Sequence, residues 1–118
     1  VTLIAWGAMV ALAEDAAYET DASVEIVDPK TIYTTDVDTI IESVEKTGRA
    51  MVLHEAPKSA GFGAEIAKRI QENAILSMEA PVERVTSPDV PYPLYTLEDF
   101  YMPNKERAVN GLERVLDY

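Results

Sequence analysis

The sequence predicts a three-layer α/β domain built on a mainly parallel sheet, and two observations carry that reading. Short runs rich in Val, Ile, Leu and Thr alternate along the chain with longer segments whose apolar residues recur at helical spacing. Connections of that length cross over between parallel strands and cover both faces of the sheet. The 118 residues suit one ordinary domain, so a single unit is expected over residues 1–118. A hydrophobic content of 47% fills one core without cross-links. Strand order is left open by this argument.

The elements follow in order. Val1–Trp6, bounded by Gly7, reads as a buried strand. Ala8 to Tyr18 turns to alanine and long side chains, and Ala8, Leu12 and Ala16 are expected to lie on the sheet-facing side of a helix. Val24–Val27 is a second strand, ended by Asp28-Pro29. Thr35 is expected to cap the next helix, with Asp38 completing a capping box. Its stripe is Val37, Ile40, Ile41 and Val44, and Gly48 is its stop. Ala50–His54 gives the third strand; Ile66, Ile70 and Ala74 mark the third helix; Val82–Val85 is the fourth strand. Pro88, Pro91, Pro93 and Pro103 predict an extended stretch from Ser87 to Pro103, pinned by Tyr92, Tyr95, Phe100 and Tyr101. A last amphipathic helix begins at Pro103-Asn104, with Val109, Leu112, Val115 and Leu116 on one side.

Charge is the unusual bulk property. Ten Lys plus Arg face twenty-one Asp plus Glu, for a formal net charge of −11. Such a surface repels nucleic acid and anionic lipid, because it lacks the cations that would neutralise phosphates. Two explanations stay open: an acidic face suited to a basic protein partner, or a halophilic adaptation to high intracellular salt. No cysteine is present, which excludes disulfides and thiolate chemistry and fits a cytoplasmic chain. No apolar run approaches a membrane span. The chain opens abruptly on a strand, as expected of a fragment of a longer polypeptide.

The candidate chemistry is incomplete. The loop Lys58-Ser-Ala-Gly-Phe-Gly-Ala-Glu-Ile66 joins a strand to a helix, yet Ile66 stands where a dinucleotide fingerprint has its third glycine. Two glycines there are expected to serve close packing, although an anion could rest at that helix start. His54 is the only histidine and is expected to be a hydrogen-bonded structural residue, since no catalytic partner is evident. Asp36 and Asp38 are explained by helix capping. The serines lack a nucleophile-elbow context. No catalytic, cofactor-binding or metal-binding residue is assigned.

Ordered strings add a resemblance. Val-Thr-Leu-Ile-Ala-Trp-Gly-Ala-Met-Val10, Val24-Glu-Ile-Val-Asp-Pro-Lys-Thr-Ile32, Glu42-Ser-Val-Glu-Lys-Thr-Gly-Arg49 and Val52-Leu-His-Glu-Ala-Pro57 come first. Gly61-Phe-Gly-Ala-Glu-Ile66, Ala80-Pro-Val-Glu-Arg-Val85, Pro88-Asp-Val-Pro91 and Met102-Pro103 follow. Together they resemble the C-terminal domain of β subunits (E1 component) of thiamine-diphosphate-dependent 2-oxoacid dehydrogenases, of the pyruvate and branched-chain type. Pro29 and Lys30 depart from the family's usual Leu and Arg. The resemblance implies a transketolase C-terminal-like fold and a role in assembly and partner docking. The parent enzyme would decarboxylate a 2-oxoacid and pass the acyl group to a lipoyl-acyltransferase. Its thiamine diphosphate and magnesium would lie outside these residues, and its partners would be an α subunit and a second β subunit in an α2β2 assembly. The family's acyltransferase docking domain meets β-subunit carboxylates, and the motif Ala74-Ile-Leu-Ser-Met-Glu-Ala-Pro81 carries this role onto Glu79, with the terminal carboxylate of Tyr118 as a second candidate. A C-terminal domain of transketolase or of a deoxyxylulose-phosphate synthase, or a free-standing anion-binding regulatory domain, are the alternatives.

Overall fold

The computed structural model describes residues 1–118. Four strands, β1 (Thr2–Ala5), β2 (Glu25–Val27), β3 (Ala50–Pro57) and β4 (Glu83–Ser87), form one sheet in the order β2-β1-β3-β4. Every neighbouring pair is parallel, with Leu3 opposite Ile26 on one side and Met51 on the other. This is the predicted α/β class, and it supplies the strand order that periodicity left open.

Side chains on a strand alternate between faces, and two cores follow from that alternation. Leu3 and Ala5 of β1 join Met51 and Leu53 of β3 beneath α1 (Met9–Ala17) and α5 (Lys105–Leu116). Ile4, Ala50 and Val52 face the other way, under α2 (Val37–Thr47) and α3 (Phe62–Ala74). Leu3, Ile4, Met51 and Leu53 are fully buried, each worth about 1.5–3 kcal/mol relative to exposure. Burial on both faces explains why these strands read as continuous apolar runs.

Helices α1 and α2 differ from expectation in two places. In α1 the buried face is Met9, Ala13 and Ala16, because Gly7 turns the chain at φ +60° and Ala8 stands outside the helix as its N-cap; Leu12 is half-buried. Asp36, not Thr35, caps α2, accepting the Thr39 N–H at 3.1 Å and the Thr39 hydroxyl at 2.7 Å. Thr35 turns its hydroxyl back to the carbonyls of Thr31 and Ile32. Gly48 ends α2 as read from the sequence, in the left-handed region at φ 71°.

The proline-rich segment is not extended throughout. A single 3-10 turn (Tyr95–Leu97) leads into the short helix α4 (Glu98–Tyr101), in the proline-free interval between Pro93 and Pro103. Tyr101 is buried and Tyr92 meets it edge-on at 5.0 Å, whereas Tyr95 and Phe100 are 88% and 83% exposed. Only half of the expected aromatic pinning is therefore realised within the chain. Asn104 caps α5, accepting the Arg107 N–H at 2.9 Å. At Lys30, Asp28 accepts both the backbone N–H at 3.0 Å and the ammonium at 2.5 Å, and so holds a left-handed turn at φ 58°. No helix is long and apolar enough to cross a membrane.

Candidate functional site

Glu79 sits between α3 and β4, folded against the turn that ends α2. Its backbone N–H donates to the Gly48 carbonyl at 2.8 Å, and its carboxylate lies 2.9 Å from the Arg49 guanidinium. A Cβ on Gly48 would stand 3.0 Å from the Glu79 carboxyl carbon, so this glycine supplies space as well as a left-handed turn. The Glu79 side chain stays 60% exposed while Arg49 is 26% exposed. A carboxylate so placed is oriented from within and still open to an incoming cation. Thirty residues separate Arg49 from Glu79, so sequence reasoning had no signal for the pair. Tyr118 is 74% exposed beyond the end of α5, on a different element from Glu79.

The reversal of strand order falls between β1 and β3, and open α/β sheets take ligands at the carboxyl ends of strands beside such a point. Here aromatic side chains occupy it. Trp6, just past β1, stacks on His54 of β3 with ring centroids 5.2 Å apart, and Phe62 of α3 meets Trp6 edge-on at 5.8 Å. His54 is 1% exposed, and neither ring nitrogen has a hydrogen-bond partner. The expected hydrogen bond is not made; the ring is held by stacking instead. Burial first, then the nearby charge of Arg84, lowers its pKa, so the ring is held neutral. The stacking could have been inferred: Ile4 and Trp6 share one face of β1, and Val52 and His54 share that face of β3.

The glycine loop closes the same end. A Cβ on Gly61 would reach within 2.8 Å of His54 Cε1, and one on Gly63 within 2.6 Å of Cδ2. The glycines thus let the backbone lie directly on the imidazole, and no cradle for a diphosphate opens between loop and ring. No group of three or more His, Asp or Glu is placed to hold a metal. These residues do not fit a diphosphate–magnesium group. Ser43 bonds Thr2 at 2.8 Å, and Ser59 bonds Asp89 at 2.6 Å; both hydroxyls are engaged in structure.

The model of the family described as "Transketolase, C-terminal domain" matches residues 1–108, with the three-layer parallel fold just described. The chain belongs to that family. This transketolase C-terminal domain is 43% identical over 121 aligned residues to the pyruvate dehydrogenase E1 component subunit beta of Staphylococcus epidermidis (strain ATCC 12228 / FDA PCI 1200), with 100% of this chain and 37% of that protein covered. Identity to the subunit of the same name from Staphylococcus aureus (strain N315) is 42% at the same coverage. The chain therefore spans about 37% of the length of the curated relatives it matches. Among solved structures, a chain of "Split gene transketolase, inactive beta4 tetramer" superposes at a TM-score of 0.84 over 98% of this domain and 39% of that chain. Identity there is 24%, and the likeness shows the fold.

Proposed function

We propose that this domain assembles and docks the E1 β subunit of a 2-oxoacid dehydrogenase complex. The observation that carries the reading is the 43% identity to pyruvate dehydrogenase E1 β subunits along the entire chain. Identity to the split transketolase chain is 24%, which favours the dehydrogenase parent over a transketolase. The parent would be a cytoplasmic α2β2 enzyme that decarboxylates a 2-oxoacid with thiamine diphosphate and magnesium and acylates lipoyl groups on an acyltransferase. The closed end of this sheet supports placing that chemistry in other parts of the assembly. The assembly role gains support from Tyr92, Leu94, Tyr95, Leu97 and Phe100, each more than half exposed within nine residues. So many exposed large apolar side chains in one short segment support a contact role for it.

Docking of the acyltransferase would use Glu79, with the Tyr118 terminus as a second carboxylate. A basic docking domain would share Glu79 with Arg49, because the existing ion pair uses one carboxylate oxygen and leaves the other free. Titration of the docking domain onto the α2β2 enzyme tests this. Glu79→Gln removes one charge at nearly constant shape, and loss of a desolvated interface pair costs about 2–5 kcal/mol, well over tenfold in Kd. Glu45→Gln, on the exposed side of α2, should change affinity little. Melting curves of both variants separate docking from the smaller loss of the Arg49 pair. Equal, small losses of affinity would refute the Glu79 site.

A further inference from the structure

Seven of the ten Lys and Arg side chains form ion pairs with carboxylates. The three that do not are Lys58, Arg84 and Arg107, and all three line one cavity of about 340 Å³ at the outer strand β4 and helix α5. In a chain of net charge −11 with twenty-one acids to choose from, three cations without carboxylate partners would not be expected to share one wall by chance. Arg84 donates to the Lys58 carbonyl at 2.9 Å. Arg107 donates to the carbonyls of Met102 and Thr86. Backbone carbonyls fix both guanidinium groups without neutralising them, and both residues are half-buried.

The rest of the lining sharpens the chemistry. Arg114 is a fourth cation, 2.5 Å from Glu83, and Asp89 is held by the Ser59 N–H at 2.7 Å and the Ser59 hydroxyl at 2.6 Å. The lining thus keeps a surplus of two positive charges. Lys58 is near enough to Asp89 to contribute to its lowered pKa, yet beyond ion-pair distance. Ser87, 1% exposed at the carboxyl end of β4, also lines the cavity and has a buried hydroxyl without a partner. One of the eleven lining residues is hydrophobic, so a ligand with a large apolar part finds no wall to pack on. The volume lies at the low end of the range of about 300–1,000 Å³ typical of ligand pockets.

We infer that the cavity between β4 and α5 is a binding site for a small oxyanion of the phosphate-monoester class, held by Arg84, Arg107 and Lys58. A phosphate brings close to two negative charges and three acceptor oxygens, which matches three donors held without carboxylates. The site is separate from Glu79 and does not depend on the docking role. It also differs in location from the glycine loop, which is closed against His54.

The test is calorimetric titration of inorganic phosphate into the assembled protein that contains this chain, at constant ionic strength. Saturable binding is expected. Arg84→Gln and Arg107→Gln should each raise Kd by at least about tenfold, the loss of one charge-assisted hydrogen bond. Lys58→Gln should raise it several-fold; its side chain makes no contact that the fold needs, so this variant reports even where an arginine change unfolds the domain. Arg69→Gln, whose guanidinium is paired with Glu65 on α3, is the control and should leave Kd unchanged. Absence of saturable binding, or equal losses in all four variants, would overturn the site. Absence of binding together with subunit dissociation in the Arg84 or Arg107 variant would overturn it in favour of a partner's carboxylate in the cavity.

Discussion

Replacing Gly63 by alanine sets two effects of opposite sign against each other. Inside a helix, alanine is favoured over glycine by about 1 kcal/mol, and Gly63 is the second residue of α3. On propensity alone the substitution should therefore stabilise. The structure predicts the reverse. The added methyl would lie 2.6 Å from His54 Cδ2, nearer still to Nε2, and 3.2 Å from Val52 Cγ1. The imidazole cannot retreat, since Trp6 is stacked on its ring. Overpacking a filled core costs about 1–3 kcal/mol, so after the propensity gain the net loss should be up to about 2 kcal/mol. For a domain of this size that is a fall in Tm of up to about 8 °C. Thermal and urea melts of Gly63→Ala in two backgrounds form the assay. With His54→Ala the methyl has room, and the same substitution should become neutral or stabilising, a coupling of about 1–3 kcal/mol. A Gly63→Ala variant that melts at or above the parent temperature would refute the close-packing account of the loop.

Further outcomes follow from the same geometry. Asp36→Ala should cost about 1 kcal/mol by removing the α2 cap while Thr35→Ala costs less, as read by urea titration. His54 has a lowered pKa in the folded state, so the unfolded chain takes up its proton first as pH falls. Stability should then decline below the unfolded value, about pH 6.5, through the lower folded pKa. His54→Phe should flatten that slope between about pH 7 and 5, whatever it does to absolute stability; an unchanged slope would count against a buried, neutral imidazole. Raising KCl from about 0.1 to 1 M shortens the Debye length from about 10 to 3 Å and weakens the self-repulsion of a chain at −11. Tm should rise under the halophilic reading, and a flat or falling Tm would leave the acidic surface to its partners.

The fold was legible where periodicity is unambiguous. The four strands and the helices α2, α3 and α5 stand where the apolar spacing put them, because burial on both sheet faces leaves a strong signal. Alanine-rich α1 carried two overlapping stripes, through Ala8-Leu12-Ala16 and Met9-Ala13-Ala16, and only the turn at Gly7 selects the second. Thr35 and Asp36 are both good caps in adjacent positions, and the choice depends on which carbonyls the preceding loop offers to Thr35. The segment from Ser87 to Pro103 was harder, since proline density reports extension, while Tyr95 and Phe100 stay exposed instead of pinning it. At the candidate sites, the Arg49–Glu79 pair and the gathering of Lys58, Arg84 and Arg107 are products of strand order. No local pattern carries that information.

The central claim is that this domain completes a heterotetrameric 2-oxoacid dehydrogenase component. Sedimentation of the full-length β-type polypeptide co-expressed with its α-type partner, with and without residues 1–118, addresses it most directly. The account predicts an α2β2 particle that binds the acyltransferase docking domain, and loss of both the particle and the binding when the domain is deleted. A deletion variant that still sediments as α2β2 and still binds the docking domain would contradict it.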